Sequence, residues 1–242
     1  PSVFITHQLY IKNSLGKLAE QLLQKKNYEY IHRFSRCWIP DMPGEDNLAG
    51  SLSHPPTLPT IPCAYTGALT RLNHADKKFI PNHLFISLSG PEPQRTILEE
   101  KVMKELFHFE GTAVIARGLP TSNNHIPSTN RFTFYNHLPS TQFNDEIAKA
   151  EFVIARTGYS TIMDLVVAGK KSILVPTPGQ PEQEFLAAYL MPKNIIWTTS
   201  QNSFSLINSI DEARRFPYQF IEAAQPNLLR KAVSEFLSTM KR

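Results

Sequence analysis

Phe152-Val153-Ile154-Ala155 is a continuous apolar run, and Arg156-Thr157-Gly158 follows it directly. The run predicts a strand that is buried on both faces, as the strands of parallel sheets are. Gly158 permits a tight turn, and the apolar spacing from Ser160 to Ala168 predicts a helix. Gly169 can end that helix in the left-handed conformation. The stretch therefore predicts a strand, a short turn and a helix, the repeating unit of an α/β fold.

The same alternation extends in both directions from this unit. It predicts strands at His83–Ser89, Thr112–Ala116, Arg131–Tyr135, Ser172–Val175 and Ile195–Trp197, and helices at Ile97–Phe107, Ser140–Ala150 and Glu182–Leu190, with two further helices at the end. Apolar strands that alternate with helices predict a Rossmann-like parallel sheet with helices on both faces. Ligands of such sheets bind at the carboxyl ends of the strands, so the loops that follow strands are the candidate sites.

The first quarter of the chain has a shorter pattern of the same kind. Ser2–Thr6 predicts a buried strand, Leu15–Tyr30 a helix, and Arg36–Pro40 a strand that proline ends. The span Asp41–Pro62 is rich in turn-forming residues and lacks periodicity, so it predicts a long connection between domains. A buried strand as the first element predicts that the chain is cut from a longer protein.

Length and composition are consistent with this division. The chain has 242 residues, of which 41% are hydrophobic, which suffices for one large or two small domains. We predict a first domain, with the connection, at residues 1–62, and a second domain at residues 63–242.

Charge and cysteine content restrict the class of partner. Lys and Arg number 25 against 21 Asp and Glu, and this net charge of +4 fits an anionic small ligand or a membrane surface as well as nucleic acid. No arginine-rich run, zinc-finger spacing or aromatic RNA-binding signature is present, which argues against nucleic acid. Cys37 and Cys63 cannot form a disulfide framework and are typical of reduced thiols in a cytosolic protein. The sequence has no apolar stretch of about 18 residues and no signal-peptide pattern at its start.

Three loops after strands carry candidate ligand contacts. Ser87–Arg95 offers small residues and a helix start to an anion such as a diphosphate, although it also reads as an ordinary proline-rich turn. In Arg156–Asp164, the carboxylate of Asp164 can accept both hydroxyls of a ribose, or can simply favour the helix N-terminus. Val175–Glu184 ends in amide and carboxylate groups that suit the hydroxyls of a sugar, or that merely solvate a helix start.

Other catalytic patterns are absent from the sequence. The eight histidines show no metal-binding spacing, and neither a G-x-S-x-G elbow nor a P-loop is present. No Asp-x-Asp pair is available to hold a divalent ion. His7 is the histidine of interest, because it lies just past an apolar strand.

The segment Ala155–Asp164, followed by Gly169-Lys170-Lys171 and Leu174-Val175-Pro176, resembles the signature of glycosyltransferase family 28. The resemblance implies a GT-B donor domain with a Rossmann-like sheet, plus the remnant of a second Rossmann-like domain. It implies an inverting, metal-independent transfer of a sugar of the N-acetylglucosamine type from a UDP-sugar. No cofactor is expected besides that donor substrate.

Individual positions receive roles from the resemblance. Asp164 takes the place of a glutamate that binds the ribose, and Gln183 and Glu184 take the places of two glutamines that contact the donor sugar. Ser89 and Gly90 correspond to a glycine-rich loop near the diphosphate, although Pro91 and Pro93 depart from its glycines. The remaining expected substrate contacts are Thr157, Gly158 and Thr161 at the start of the helix, the phosphate-binding Arg71, and the uracil-recognising loop Asn136-His137-Leu138.

The resemblance also addresses the acceptor side. Thr6-His7-Gln8-Leu9 is similar to a stretch that lines the acceptor cleft, which makes Gln8 a candidate contact and His7 the candidate general base. The expected partners are the UDP-sugar and a carbohydrate or lipid-linked acceptor, in the cytoplasm and in peripheral contact with the inner face of the membrane. Two alternatives stay open: a nucleotide-sugar hydrolase or epimerase of the same fold, and a non-catalytic donor-binding subunit that needs a partner.

Overall fold

The computed structural model describes residues 1–13, 15–70, 72 and 79–240. The chain divides into two compact units, the first formed by residues 1–71 with 221–242 and the second by residues 72–220. This division differs from the predicted boundary between residues 62 and 63. The strand that begins at residue 63 pairs within the first unit, and the C-terminal helix packs on that strand.

The strands and helices follow one another in the predicted alternation. In chain order they are β1 Val3–Ile5, α1 Lys17–Ile31, β2 Arg36–Ile39, β3 Cys63–Tyr65, β4 His83–Ser87, α2 Gln94–Leu106, β5 Thr112–Ala116, β6 Phe132–Tyr135, α3 Ser140–Lys149, β7 Phe152–Ala155, α4 Tyr159–Val167, β8 Ser172–Leu174, α5 Pro181–Leu190, β9 Trp197–Thr198, α6 Leu206–Arg215 and α7 Pro226–Met240. A single turn of 3₁₀ helix, Gly50–Leu52, lies between β2 and β3.

The second unit is built on a six-stranded sheet with the order β6-β5-β4-β7-β8-β9, in which every neighbouring pair is parallel. The two central strands are buried along their apolar residues, including Phe85 and Ile86 of β4 and Val153 and Ile154 of β7. Helices α2 and α6 pack against each other. The predicted parallel sheet flanked by helices is confirmed, and its strand order is that of doubly wound dinucleotide-binding folds.

The first unit contains a smaller parallel sheet with the order β1-β2-β3. Leu9, Ile31, Cys37 and Ile39 form its buried core. As in the second unit, neighbouring strands are parallel, and a helix, α1, connects β1 to β2. Both cysteines of this unit are free thiols.

The segment between β2 and β3 contains fully buried residues that pack within the first unit. Leu48, Ala49 and Leu52 have no exposed surface, and neither does Asp41. The main-chain N–H groups of Leu9 and Tyr10 both donate to the carbonyl oxygen of Leu52, at 2.8 and 2.9 Å. The prediction of a long connection between domains does not hold for this segment, because it lies within the first unit and folds against the loop after β1.

Within the described part of the chain, no helix has the length and apolar character needed to span a membrane.

Candidate functional site

The chain changes direction in the middle of the six-stranded sheet. From β4 it proceeds through β5 to β6 on one side, and then crosses to β7, β8 and β9 on the other. The loops after β4 and β7 therefore diverge and leave a crevice at the carboxyl ends of these two strands. Residues 88–93 and 156–158 form these loops. Both loops carry residues that the sequence predicts to contact substrate.

Helix α4 begins beside this crevice without a side-chain cap. Its N-cap residue is Gly158, and no side-chain hydrogen bond caps the helix. An α-helix leaves its first four N–H groups without partners inside the helix. These groups and the positive end of the helix dipole stabilise an anion. Ser160 and Thr161 do not cap the helix, because α4 already begins at Tyr159 and both residues lie inside its first turn.

Asp164 lies on the accessible side of α4. Ser160 is exposed and Thr161 and Asp164 are partly exposed, whereas Met163 and Leu165 are buried. Residues three or four apart share one face of a helix, so the accessible residues form a stripe from the first turn into the second. A ligand with an anionic group at the helix start can extend along this stripe to the Asp164 carboxylate.

The loop after β4 presents Ser89 and Gly90 to solvent. Gly90 has a φ of +103°, which residues with a side chain rarely adopt. Further along, the Glu92 carboxylate accepts hydrogen bonds from Arg95 Nε at 2.6 Å and from the Thr96 N–H at 3.2 Å. A carboxylate thus already occupies the start of α2, so an additional anion is better accommodated at the start of α4.

Arg156, directly after β7, connects the loops at this edge of the sheet. It is buried, and its guanidinium donates hydrogen bonds of 2.6–3.5 Å to the carbonyl oxygens of Ser89, Gln94, Val175 and Pro176 and to the side-chain oxygen of Gln201. These acceptors are neutral oxygen atoms. Burial lowers the pKa of the guanidinium to about 10, so it remains a cation at neutral pH. The crevice therefore has a fixed positive charge beside Gly90.

In the loop after β8, the two residues predicted to contact the sugar fold back on their own loop. Gln183 Oε1 accepts a hydrogen bond from the Thr177 N–H at 2.9 Å, and Gln183 Nε2 donates to Gln180 Oε1 at 2.5 Å. Glu184 Oε1 accepts from the Gly179 N–H at 3.1 Å. Both side chains thus fix the conformation of the loop after β8.

Two buried hydroxyl groups lie at the same edge of the sheet. Thr157 and Thr177 are almost completely buried, and among the described residues neither Oγ1 atom has a hydrogen-bond partner. A Cβ atom placed on Gly90 would lie 3.5 Å from Thr177 Oγ1. A buried polar group without a protein partner is commonly satisfied by ordered water or by a ligand. Because Thr157 is buried and Gly158 is partly exposed, a ligand in the crevice would contact Gly158 before it contacts Thr157.

The main chain after β6 is fixed by a buried ionic network. Asn136 Oδ1 accepts a hydrogen bond from Arg117 Nη1 at 2.9 Å, and Arg117 Nε donates to Glu99 at 2.5 Å. Burial alone would raise the pKa of Glu99, but hydrogen bonds from two arginines hold that pKa below its ordinary value. His137 is exposed and the Leu138 side chain is buried. The loop predicted to recognise uracil is therefore anchored at Asn136 by hydrogen bonds.

A cavity of about 530 Å³ opens beside the loops after β8 and β9. Pro176, Ala187 and Met191 are among its apolar lining residues, and Glu184 and Gln201 are among its polar ones. Its volume lies in the range of small-molecule sites, about 300–1,000 Å³. Gln201 also holds Arg156, so the cavity shares a wall with the charged crevice.

The acceptor-side candidates lie in the first unit. His7 and Gln8 follow β1 directly and are partly exposed. The Gln8 N–H donates to Thr6 Oγ1 at 3.0 Å, and its carbonyl oxygen accepts from Asn27 Nδ2 at 3.0 Å. The predicted phosphate ligand Arg71 lies outside the described residues.

In residues 1–13, 15–70, 72 and 79–240, no group of three His, Cys, Asp or Glu side chains is placed to hold a metal ion.

The sequence pattern predicts no separate role for Arg156, Arg117 or Gln201. Arg156 and Arg117 share a sequence pattern that could have indicated a role, since each is a charged residue directly after an apolar strand. Gln201 has no such signal, because its importance depends on a partner 45 residues away.

The chain is similar in sequence to known glycosyltransferases. The family model described as the glycosyltransferase family 28 C-terminal domain matches residues 96–240. A relative from Rickettsia massiliae (strain Mtu5), named UDP-N-acetylglucosamine--N-acetylmuramyl-(pentapeptide) pyrophosphoryl-undecaprenol N-acetylglucosamine transferase, is 34% identical over 99 residues. That match covers 37% of this chain and 26% of the relative.

Solved structures match over most of the chain. Acinetobacter baumannii MurG has a TM-score of 0.57 at 14% identity, covering 88% of this chain and 62% of MurG. The calicheamicin glycosyltransferase CalG4 has a TM-score of 0.58 at 12% identity, covering 100% of this chain and 71% of CalG4. At these identities the likeness establishes the fold alone, which is the GT-B fold. The chain spans less than two thirds of MurG and about a quarter of the Rickettsia relative.

Proposed function

The chain belongs to glycosyltransferase family 28, and from this premise we propose that it binds a UDP-sugar in its second unit and transfers the sugar to an acceptor hydroxyl. The observation that carries the proposal is the geometry of α4. An uncapped helix start suits a diphosphate, and the Asp164 carboxylate follows on the same accessible stripe. Asp164 is five residues beyond the first residue of the helix, about 7.5 Å along its axis.

We place the diphosphate at the N-terminus of α4, beside Gly158 and Thr161. Negative charge on it grows as the bond to the sugar breaks, so donors fixed beforehand stabilise the transition state more than the ground state. Arg156 supplies a buried positive charge at this edge, and Ser89 and Gly90 lie beside it. Arg71 is proposed to add a second cation.

The uracil and the sugar are placed on either side of the diphosphate. The main chain at His137 and Leu138 receives the uracil, because Arg117 and Asn136 anchor that loop. Gln183 and Glu184 are proposed to contact the sugar from the loop whose conformation they fix, and the cavity lined in part by Glu184 provides room for it. The donor sugar is proposed to be a hexose of the N-acetylglucosamine type.

The reaction is proposed to invert the configuration at the anomeric carbon and to need neither a metal ion nor a cofactor. The acceptor oxygen attacks from the side opposite to UDP, and fixed protein charges take the role that a divalent ion has elsewhere. We expect UDP binding to survive EDTA with unchanged affinity. Calorimetric titrations with EDTA and with added Mg²⁺ check this, and loss of binding upon chelation would contradict it.

We further propose peripheral contact with the inner, cytoplasmic face of the membrane, in keeping with a lipid-linked acceptor. Leu18 and Leu22 are 79% and 70% exposed on α1, and Leu15, just before the helix, is 82% exposed. The exposed Lys25 and Lys26 lie on the same helix. Exposed apolar residues with nearby lysines are typical of helices that lie in the membrane interface.

The double change Leu18→Glu and Leu22→Glu is expected to lower binding to vesicles with anionic lipid by about tenfold or more, since burying one leucine contributes about 1.5–3 kcal/mol. Co-sedimentation with the vesicles measures the loss. Leu237→Glu on α7 serves as a control for an exposed leucine elsewhere. Equal binding of both variants would show that α1 does not contact the membrane.

The products formed from a UDP-sugar distinguish this function from its alternatives. A transferase releases UDP and forms a glycoside only when an acceptor is present. A hydrolase releases free sugar without an acceptor, and an epimerase converts UDP-N-acetylglucosamine to an isomer without releasing UDP. A donor-binding subunit binds UDP and shows none of these products. Mass spectrometry of the chain with UDP-N-acetylglucosamine, with and without added lipid-linked and soluble glycan acceptors, makes the distinction.

A further inference from the structure

The cavity of about 530 Å³ lies between one face of α5 and the loop after β9. Glu184, Ala187, Ala188 and the C-cap residue Met191 line it from the helix, and residues 198–202 line it from the loop. The helix positions are three or four residues apart, so they share one face. Every lining residue belongs to the second unit. The cavity is therefore a site within one compact unit.

The helix side of the cavity is apolar beyond Glu184. Ala187 and Met191 contribute a methyl group and a thioether chain. Pro176, Pro178 and Pro192 complete this side, and a proline has no N–H group to offer as a donor. An occupant that follows the helix from Glu184 to Met191 therefore meets mainly apolar groups.

The space exists because α5 has small residues on this face. Its large aromatic residues lie at other positions, where the rings of Phe185 and Tyr189 stack on each other with a centroid distance of 5.9 Å. Ala187 and Ala188 take the positions that face the cavity. A cavity of about 150 Å³ already accommodates benzene in another protein. A volume of about 530 Å³ therefore accommodates a considerably larger apolar group.

The opposite side of the cavity is held by hydrogen bonds inside the protein. Gln201 is buried, and its Oε1 atom accepts a hydrogen bond from Arg156 Nη2 at 2.6 Å. Its Nε2 atom donates to Gln94 Oε1, also at 2.6 Å. Both polar ends of the Gln201 side chain thus have protein partners. This part of the wall does not require a hydrogen bond from an occupant.

Glu184 connects the cavity to the proposed sugar site. Its side chain is exposed, and Oε1 accepts a hydrogen bond from the Gly179 N–H at 3.1 Å. A carboxylate has about four acceptor sites, so Glu184 can also accept from the amide N–H of an acylamino group on the sugar. Met191 is seven residues further along, about 10 Å in the direction of the helix axis. An acyl chain that starts at this amide can extend along the apolar face.

We propose that the cavity binds an N-acyl group longer than acetyl, so that the preferred donor is a UDP-linked amino sugar with a medium-length acyl chain. The inference rests on the proposed function and specifies the donor of that site. Glu184 binds the amide N–H, and Ala187, Ala188 and Met191 contact the chain. These residues determine specificity and take no part in bond breaking.

The affinities of two donors test the proposal in the whole chain. Calorimetry compares UDP-N-acetylglucosamine with UDP-N-hexanoylglucosamine, with UDP alone as the reference. The second donor has four additional methylene groups, and burial of each one favours binding by about fourfold. Complete burial corresponds to about 200-fold. We expect the natural chain to bind the hexanoyl donor at least tenfold more tightly than the acetyl donor.

Ala188→Leu tests whether the chain lies in this cavity. Ala188 is exposed, and leucine is nearly as favourable in a helix as alanine, so the variant is expected to fold. The larger side chain fills part of the cavity and is expected to reduce the preference for the hexanoyl donor to about threefold or less. Asn208→Leu on α6 is the matched control, because Asn208 is exposed and lies outside the cavity lining. It is expected to retain the preference of the natural chain.

The ratio between the two donors is the readout, because a general loss of folded protein does not change it. Equal affinities in the natural chain, or weaker binding of the hexanoyl donor, would overturn the proposal. So would a preference that persists in Ala188→Leu or that Asn208→Leu loses to the same extent. In these cases UDP still binds and the proposed function stands. A natural chain that binds neither UDP nor either donor would reject the proposed function, and this inference with it.

Discussion

Arg156→Met is expected to lower the free energy of unfolding by about 3 kcal/mol or more and to weaken UDP binding at least tenfold. Methionine fills much of the same volume but donates no hydrogen bond. The change leaves five oxygen acceptors without their donor, and each buried polar group left unpaired costs about 1–3 kcal/mol. Relaxation of the loops makes the total loss of unfolding free energy smaller than the sum over the five acceptors. The loss remains large, as is typical when a buried hydrogen-bond network is broken.

Thermal unfolding and a UDP titration measure the two effects. A loss of about 3 kcal/mol corresponds to roughly 6–12 °C in a domain of this size. Arg131→Met is the matched control, because Arg131 also donates to main-chain carbonyls, at Phe109 and Phe107, but is exposed. The control is expected to change stability by less than about 1 kcal/mol. Similar losses in both variants would mean that the buried network of Arg156 has no special role.

Asp164→Ala is expected to weaken UDP binding by about 1.5–3 kcal/mol for each hydrogen bond lost between its carboxylate and a ribose hydroxyl. Since about 1.4 kcal/mol is a factor of ten, the loss of even one such bond lowers the affinity at least tenfold. The alternative role of Asp164, which is to stabilise the start of α4, predicts up to about 1 kcal/mol of lost stability and unchanged affinity. Calorimetry with UDP and thermal unfolding without ligand separate the two roles.

The ligand provides a second test of the same hydrogen bonds. The natural chain is expected to bind 2′,3′-dideoxyuridine diphosphate more weakly than UDP, whereas Asp164→Ala is expected to bind the two alike. Asp211→Ala on α6 removes an exposed carboxylate elsewhere and is expected to leave both affinities unchanged. If the natural chain does not distinguish the ligands and Asp164→Ala binds UDP normally, Asp164 serves only the helix.

The fold was predictable because its strands are apolar on both faces. β7 occupies Phe152–Ala155 in the structure, which is the predicted range, since no polar residue interrupts it. Helix starts were less predictable. α2 begins at Gln94 rather than near Ile97, because the Glu92 carboxylate binds the Thr96 N–H and thereby supports an earlier first turn.

Features that depend on distant contacts could not be predicted. The loop after β2 has the composition of a linker, yet Asp41 orders it through donors as far along the chain as Ser53. The strand β3 was missed because it has only three residues and gains its stability from pairing with β2. The donor-side candidates Asp164, Gln183 and Glu184 are predicted from their positions after strands and from the family resemblance. The partners that fix Gln183 and Glu184 become apparent only in the folded loop.

A calorimetric titration with UDP tests the proposed donor site most directly. Saturable binding of one UDP per chain is expected, stronger than that of ADP, GDP or dTDP, because the anchored loop at His137 and Leu138 receives uracil. Binding stabilises the native state by mass action, so UDP should also raise the melting temperature. The absence of both heat and thermal stabilisation at millimolar UDP would contradict a nucleotide-sugar site in the second unit.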